Sequence, residues 1–468
     1  MKRTLLPAWA AAVVLIGGCS VSSGPQPSEP VTLPETFSRS GEIVLQEQWW
    51  RLFDDAALNR LVDEALVSNF SLQATWERLA QARAAADKSG AGQYPDLTLS
   101  GSASSTDNHG TVKGSAEYYS AALAASYELD LWGRVGSAAE AARLDVEASK
   151  EQLHTAQISL SAEVATTWYG LQGQHLHAAL LAEQVTLNEK HLALTERKFR
   201  SGQANASDVL QQRQSLEAVK GDAILSQKSI ELYEHRLAVL LGRTPGSVQY
   251  PQLGALPAIR PLPQTGIPSE LLMQRPDVKA AYFTLMADDK RLAAAVAERY
   301  PRITLSASLE SSAFKAADLF DSWLLGLAGN LAAPLLDGGE RKAEVARSEA
   351  VRNEQLYTYG DTLLSALREV EDALSEVAHQ QRYLASLDKQ IALSEASVAQ
   401  IREHYLHGKS SYVSFLNAQL SHQNLQRTRL TALRELIDKR IALYRSLATG
   451  WESTRQEPTT RSASHADL

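Results

Sequence analysis

The chain has 468 residues, of which 44% are hydrophobic, 7% aromatic and 21% charged, with a formal net charge of -8. This length and composition suffice for a large hydrophobic core, and the low aromatic content favours long helices over an all-β fold. The acidic balance leaves no basic surface of the kind that binds nucleic acid, so nucleic acid is excluded as a partner.

The N-terminal segment has the features of a secretory signal peptide, which we predict over residues 1–18. Lys2 and Arg3 precede an apolar run from Leu5 to Ile16, and this run is shorter than the roughly 20 residues of a membrane-spanning helix. The only cysteine of the chain, Cys19, follows directly. The stretch "LIGGC" resembles a bacterial lipobox, which implies cleavage before Cys19 and attachment of a diacylglycerol and an N-acyl chain to it. An ordinary signal peptide is the alternative.

Residues 19–45 are predicted to form a lipid-anchored tether. They are rich in Ser, Pro and Glu, a composition that lacks the apolar residues needed for a core. Two or more acyl chains anchor a protein stably, whereas a single chain binds a membrane only marginally. Within the lipoprotein resemblance, Ser20 in place of Asp favours the outer membrane. No later window is long and apolar enough for a spanning helix, so contact with a membrane core would use β-strands or lipid.

The sequence repeats itself at an offset of 206 residues. Three separated landmarks share this offset: Tyr94-Pro95 with Tyr300-Pro301, Gly133 with Gly339, and Gly202 with Gly408. A shared offset at separated positions indicates a duplicated unit. We predict repeats at residues 46–241 and 268–450, a Pro-rich linker at residues 242–267 that cannot be helix interior, and a disordered tail at residues 451–468.

Each repeat shows the same order of predicted elements, namely one helix, two strands and two long helices. The first helices cover residues 56–90 and 269–300. Apolar and polar residues alternate in four segments, which predicts four strands: residues 97–100, 119–129, 303–310 and 323–331.

The long helices carry apolar residues at alternating spacings of three and four, over Leu216–Leu240 in the first repeat and Leu363–Tyr405 in the second. Such a period is typical of a coiled-coil seam, with a long bundle helix in a soluble core as the alternative. The run from Glu340 to Tyr405 contains no proline, and as one helix it would be about 100 Å long.

Four strands per chain set a minimum assembly if they meet lipid. A sheet with open edges is not tolerated in a bilayer, and about eight strands are needed to close the smallest barrel. Two chains would supply about eight strands, and side chains fill the interior of a barrel of that size. Three chains would supply about twelve strands and leave an aqueous lumen. A soluble antiparallel sheet is the alternative for the strands taken alone.

Several motifs carry a resemblance to the TolC/OprM outer-membrane factor family, in the NodT-like lipoprotein branch of RND-type efflux systems. They are "WWRLFDDAALNRLVDEALVSNFSLQA", "IPSELLMQRPDVKAAYFTLMA", "YELDLWGRV" and "APLLDGGERKAE". The resemblance implies an α+β membrane protein with long α-helical coiled-coil hairpins and four β-strands per chain. Its homotrimer would form a 12-stranded β-barrel in outer-membrane lipid, continued by a periplasmic α-barrel tunnel. It further implies no enzymatic activity, no cofactor, and docking to a periplasmic membrane-fusion adaptor and an inner-membrane RND pump.

A polar patch centred on glycine separates the two long helices of each repeat. Two antiparallel helices need a tight turn there, and Gly202 and Gly408 can supply the positive φ that it requires. Four residues of N-cap type stand near the start of the returning helices: Asn205, Ser207, Ser410 and Ser411.

The resemblance places the periplasmic aperture just after the second tip, at Val413, Ser414 and Asn417. Asn417, in "FLNAQ", stands where relatives commonly carry an acidic residue in a "LLDAQ"-like motif that forms a ring. Three amides concentrate cations and bind divalent ions less than three carboxylates do. We therefore predict weaker cation selectivity and weaker block by divalent ions than in relatives with an acidic ring.

The resemblance also predicts a linkage between neighbouring hairpins in the closed channel. Ser207 and Asp208 of the first tip match one side of it, and Tyr405 matches their aromatic partner. The basic residue that completes the link in some relatives falls on Ser410. Together with Gly202 and Gly408, these residues form the predicted tip linkage and adaptor contact.

The sequence contains no phosphate loop, G-x-S-x-G, H-E-x-x-H or CxxC motif. His404 and His407 are spaced to share a helix face, but no third ligand accompanies them, so we predict no metal site. Two alternatives to an efflux channel stay open. One is an outer-membrane channel for type I protein secretion, and the other is a lipid-anchored periplasmic coiled-coil scaffold without a pore.

Overall fold

The computed structural model describes residues 31–42, 47–109, 113–247, 250–252 and 255–449. The predicted signal peptide, Cys19 and the C-terminal tail lie outside these ranges. The chain divides into two compact units, of which one contains Glu77–Glu151 and Lys279–Thr362. The other contains Leu33–Trp76, Gln152–Val278 and the chain from Leu363 onward.

The described residues form helices and strands in the predicted order. The helices are α1 (Ala56–Ser68), α2 (Phe70–Ala91), α3 (Arg134–Arg200), α4 (Ala206–Leu240), α5 (Pro268–Gln274), α6 (Pro276–Ala297), α7 (Glu340–Leu406) and α8 (Tyr412–Leu447). The strands are β1 (Asp96–His109), β2 (Lys113–Leu129), β3 (Arg302–Ala313) and β4 (Leu324–Ala332). Helices α3 and α7 have 67 residues each, which makes each about 100 Å long. Among the described residues, no helix combines the length and hydropathy that crossing a bilayer requires.

The first predicted helix of each repeat is interrupted, so the prediction of one continuous helix there was wrong. Asn69 ends α1 in an extended conformation, and its Oδ1 accepts a hydrogen bond from the Leu72 amide at 3.0 Å to start α2. In the second repeat Arg275 is extended (φ -64°, ψ 132°) before Pro276. A proline disfavours the helical conformation of the residue before it, and it fits well as the first residue of α6.

The first unit contains one antiparallel sheet with strand order β1-β2-β3-β4. Its register aligns four leucines in a row across the strands: Leu99, Leu123, Leu309 and Leu325. Because side chains alternate between faces, the neighbouring row lies on the opposite face: Ser100, Ala122, Glu310 and Leu324. The leucine face is open, with Leu99 and Leu327 each 78% exposed.

Each strand pair leads into a long helix through a capped junction. The Asp130 carboxylate accepts hydrogen bonds from the amides of Val135 at 3.0 Å and Gly136 at 2.6 Å, which caps α3. In the second repeat, Asp337 accepts from the Gly339 amide at 3.0 Å just before α7 and from the Arg341 amide at 3.4 Å in its first turn. These aspartates satisfy amide groups that the first turn of a helix leaves without intrahelical partners.

The second unit has an aromatic core where the N-terminal segment meets the long helices. Trp49 and Trp50 are fully buried, and the rings of Phe53 and Tyr169 lie 5.2 Å apart. Nearby, the Trp168 indole donates to Asp55 at 2.7 Å, and the same carboxylate caps α1.

Arg275 joins the start of the second repeat to α7 and α8. Its guanidinium, only 7% exposed, donates to Asp277 at 2.6 Å, Glu369 at 2.9 Å and the Ser446 carbonyl at 3.1 Å. Burial disfavours the charged form, but the hydrogen bonds and charges of Asp277 and Glu369 outweigh it and raise the pKa of Arg275. Through Arg275, the Arg-Pro-Asp triplet therefore attaches the break between α5 and α6 to α7 and α8.

Candidate functional site at the helix tips

The turn of the first tip connects α3 to α4 by a glycine in the left-handed region. The Gln203 amide donates to the Lys198 carbonyl at 2.8 Å, and the Gly202 amide donates to the Phe199 carbonyl at 3.0 Å. This pair of bonds is a Schellman motif, which satisfies carbonyls left free at the end of a helix. Gly202 has φ +74°, so its role is conformational.

The second tip, between α7 and α8, repeats the same motif. The Lys409 amide donates to the His404 carbonyl at 2.8 Å, and the Gly408 amide donates to the Tyr405 carbonyl at 3.1 Å. Gly408 has φ +72°. A Cβ at either glycine would meet nothing within 4 Å, so the requirement for glycine comes from the backbone angle and not from crowding.

The returning helices are capped by two of the four candidate residues, Asn205 and Ser411. The Asn205 backbone N–H donates to the Asp208 carboxylate at 3.0 Å, and the Ser411 hydroxyl accepts from the Ser414 backbone N–H at 3.2 Å. Ser207 lies exposed inside the first turn of α4, and Ser410 lies one residue before its cap. Asp208 and Ser414 are thus already engaged in capping.

Tyr405 lies in an aromatic cluster beneath the second tip. Its ring stacks on Phe415 with centroids 5.8 Å apart and lies 5.7 Å from the Tyr412 ring. The Lys198 ammonium of α3 lies 3.9 Å from the centroid of the Tyr405 ring, a cation–π geometry. Burial, with a smaller contribution from the charge of Asp208, raises the pKa of the Tyr405 phenol.

The structure therefore places a cation, Lys198, over Tyr405, and Asp208 acts on the same phenol through its charge. The cation is not at position 410. Sequence reasoning missed Lys198 because it lies at the end of the preceding hairpin's first helix. A basic residue in the last turn of a helix is common for electrostatic reasons, so its sequence position gave no sign of the contact with Tyr405.

The three predicted aperture residues share one exposed face of α8. Val413 is 44% exposed, and Ser414 and Asn417 are also exposed. The face continues at spacings of three and four through exposed uncharged residues: Ser421, Asn424, Thr428 and Thr431.

The start of α8 carries no Asp, Glu, Lys or Arg from Ser410 to Gln426. The matching stretch of the first repeat, residues 204–220, contains Asp208, Arg213, Glu217 and Lys220. The two copies of the hairpin thus differ sharply in charge at their returning helices. A solute close to the exposed face of α8 would meet hydroxyl and amide groups without fixed charge.

His404 and His407 are both exposed beside the second tip, and the His407 imidazole lies 2.9 Å from the Glu403 carboxylate. Within the described ranges, no group of three or more His, Cys, Asp or Glu residues is arranged to hold a metal ion. The site is therefore a combination of turn geometry, aromatic packing and an uncharged polar helix face.

The chain matches one family model and is similar in sequence to known proteins along nearly its whole length. A family model described as outer membrane efflux protein matches residues 61–243 and 267–449. The chain is 28% identical to the cation efflux system protein CusC of Escherichia coli O6:H1, over 93% of this chain and 96% of that protein. It is 29% identical to the pyoverdine export outer membrane protein OpmQ of Pseudomonas aeruginosa, over 95% and 97% of the two chains.

Solved structures share the fold along nearly the whole chain. The outer-membrane channel OprN superposes with a TM-score of 0.85 at 28% identity, covering 92% of this chain and all of that one. A crystal structure of CusC superposes with a TM-score of 0.84 at 25% identity, covering 92% and 99%. The predicted fold class, helical hairpins with four strands per chain in an outer-membrane factor, is confirmed by these neighbours.

Proposed function

The chain belongs to the outer membrane efflux protein family, and on that premise we propose that three copies close one channel whose periplasmic end is gated by α8. Its function is that of an outer-membrane channel component of a tripartite efflux system. The finer proposal is a passive exit duct for drugs or other small molecules, with energy supplied by a partner.

The observation that carries the trimer proposal is the sheet. Within the described residues, β1 and β4 each pair with one neighbouring strand, so each leaves one edge for pairing with another chain. In lipid, a backbone N–H or C=O group without a hydrogen-bond partner costs roughly several kcal/mol, the free energy of burying an unpaired amide. Three copies joined edge to edge give about twelve strands and a lumen wide enough for water.

The two faces of the sheet support the same arrangement. The exposed leucine face suits hydrocarbon, and the opposite face, with Ser100, Ser308 and Glu310, suits an aqueous lumen. Alternation of apolar-out and polar-in residues is the pattern of outer-membrane barrels.

Cys19 provides the proposed lipid anchor, and the division into two repeats joined by residues 242–267 provides the proposed chain organisation. The partners we propose are a periplasmic membrane-fusion adaptor and an inner-membrane RND pump. The sequence motifs that would couple transport to nucleotide hydrolysis are missing from the chain, which supports a pump elsewhere in the assembly. The lipobox-like segment favours efflux over type I protein secretion.

The proposed aperture is formed by Val413, Ser414 and Asn417 from each copy. The linkage and adaptor contact use the tip residues, with Lys198 added to those inferred from the sequence. Opening requires the α8 helices to swing outward as packed elements.

An arginine on the leucine face should prevent stable insertion, whereas one on the opposite face should not. Leu309→Arg places a charge against hydrocarbon at a cost of about 2–4 kcal/mol per copy. Ser308→Arg, the adjacent residue on the other face, is the matched control. The measurement is the fraction of protein recovered as trimer in outer-membrane fractions, with Leu309→Arg depleted and Ser308→Arg near wild type. Equal recovery of the two variants would contradict the assignment of the faces, and selective depletion of Ser308→Arg would reverse it.

The function itself is tested with the purified full chain. We expect a trimer that migrates as a single species until heated, and discrete conductance steps in planar bilayers. Cells lacking the chain should regain efflux when it is restored. A monomer without conductance would favour the lipid-anchored scaffold.

A further inference from the structure

Five polar side chains fill the contact between α8 and the first hairpin, formed by α3 and α4. Each is at most 7% exposed, and together we call them the amide network: Gln184 and Asn188 from α3, Gln212 and Ser215 from α4, and Gln423 from α8. Burying an amide is costly unless it is hydrogen-bonded, whereas an aliphatic side chain at the same place would be stabilising.

Asn188, fully buried, is the centre of the amide network. Its Oδ1 accepts from Gln212 Nε2 at 3.1 Å and from the Ser215 hydroxyl at 3.3 Å. Its Nδ2 donates to the Gln184 carbonyl at 2.8 Å and to Gln423 Oε1 at 3.4 Å. One side chain of α3 therefore bonds both the other helix of its own hairpin and α8.

The amide network also contains one donor and one acceptor that form no hydrogen bond within the described residues. Gln184 Nε2 donates to the Gln423 carbonyl at 3.2 Å. Gln184 Oε1 and Gln423 Nε2 are both buried and have no hydrogen-bond partner in the described part of the chain. An acceptor on α3 and a donor on α8 would satisfy each other if α8 shifted relative to α3. Such a pairing would be a second arrangement of the same groups.

The amide network is close to the proposed aperture along α8. Gln423 lies six residues beyond Asn417, about 9 Å along the helix axis. At the tip side, the Tyr412 hydroxyl donates to Gln212 Oε1, which ties the aromatic cluster to the same network. A shift of α8 at Gln423 therefore moves the exposed face that carries Val413, Ser414 and Asn417.

We propose that Asn188 is a positioning residue for the aperture, because the amide network holds α8 at rest and exchanges its hydrogen bonds when α8 swings outward. This inference rests on the function proposed above. Interlocked aliphatic side chains resist sliding, since packed cores do not deform continuously. Amides can re-pair or take up water at intermediate positions, which lowers the cost of a defined movement.

The first variant is Asn188→Leu, which removes the side-chain partner of Ser215 and Gln423 and should loosen α8. Gln212 loses its bond to the Asn188 side chain but keeps its bond to the Asn188 backbone carbonyl at 3.0 Å. We expect resting conductance per trimer to rise about tenfold, the factor given by losing roughly one buried hydrogen-bonded group. The control is Ser226→Ala on α4. Ser226 is 2% exposed, and its hydroxyl has no hydrogen-bond partner among the residues that the structure describes. Ser226→Ala should conduct like wild type. If Asn188→Leu forms no trimer, Ser215→Ala removes one bond and should give a smaller rise.

The second variant replaces Asn188, Gln212 and Gln423 together by Leu. Because replacing both partners of a hydrogen bond by apolar groups is nearly neutral, the trimer should stay close to wild type in heat resistance. Resting conductance should be unchanged and cellular efflux reduced to about a tenth, since α8 loses its exchangeable bonds. A merely structural role predicts normal efflux for this stable variant. Wild-type behaviour in both the single and the triple variant overturns the inference while leaving the channel function intact. A wild-type protein that does not conduct overturns the channel function and the inference together.

Discussion

Asn417→Asp is expected to make the channel distinctly cation-selective. Three carboxylates about 5 Å from a cation at the pore axis would attract it by roughly 2–3 kcal/mol in bulk water, before salt screening. At about 0.1 M salt we expect the cation-to-anion permeability ratio to rise about fivefold or more over wild type. Block by Ca²⁺ or Mg²⁺ should appear at the same time, since grouped carboxylates bind these ions. The measurement is the reversal potential across a planar bilayer under a salt gradient.

The matched control is Gln211→Asp, at the position one repeat earlier. Gln211 is exposed on α4 as Asn417 is on α8, so the two variants carry the same charge change on equivalent helices. Gln211→Asp should leave the reversal potential at the wild-type value. Identical selectivity in wild type and Asn417→Asp would remove Asn417 from the aperture.

Arg275→Met is expected to cause a large loss of stability. The substitution keeps an apolar stem but leaves Asp277, Glu369 and the Ser446 carbonyl without their shared donor. Breaking a fully buried ion pair by removing one partner typically costs about 3–5 kcal/mol. The loss here should lie near or below the lower end of that range, because Asp277 and Glu369 are 34% and 39% exposed and their freed carboxylates can take up water. The measurement is the temperature at which the trimer dissociates, which should fall well below that of wild type.

Arg445→Met serves as the control because Arg445 faces the same Glu369 carboxylate from 3.9 Å and is 49% exposed. An exposed ion pair of this kind contributes about 0–1 kcal/mol, so the dissociation temperature should change little. Equal losses from the two substitutions would show that burial and the carbonyl contacts of Arg275 contribute nothing beyond charge.

The fold was largely predictable because its long helices have an unbroken apolar period. The predicted seam residues Val370, Leu374 and Val377 are each fully buried, and the predicted rod from Glu340 to Tyr405 ends within one residue of α7. The resemblance to the outer-membrane factor family is likewise confirmed by the family model and the solved neighbours. A regular heptad needs little tertiary information to be recognised.

The breaks in the first helices were less predictable. Asn69 acts through its side chain: Oδ1 accepts from the Leu72 amide, and Nδ2 donates to the Leu240 carbonyl at 2.9 Å. Its effect therefore depends on a segment that is distant in the sequence. An asparagine within a helical pattern does not by itself end a helix, so the local sequence did not indicate that α1 ends at Asn69.

The amide network could not be predicted at all from the sequence. Gln and Asn at helical positions are usually exposed. Gln211 and Gln212 are adjacent in the sequence, yet Gln211 is exposed and Gln212 is buried. Which of them is buried depends on how three helices pack. The same holds for Lys198, whose contact with Tyr405 joins two repeats. The aperture and linkage residues carried over from the family stay predictions.

In the proposed trimer, three copies of α8 line the narrow end of one channel. Cys19 is the only cysteine in the sequence, so a cysteine placed in α8 introduces a single new thiol per copy. The measurement is conductance of Asn417→Cys and Gln211→Cys channels during addition of a bulky thiol reagent. We expect up to three downward steps for Asn417→Cys and none for Gln211→Cys. Unchanged conductance of Asn417→Cys after complete labelling would contradict this arrangement.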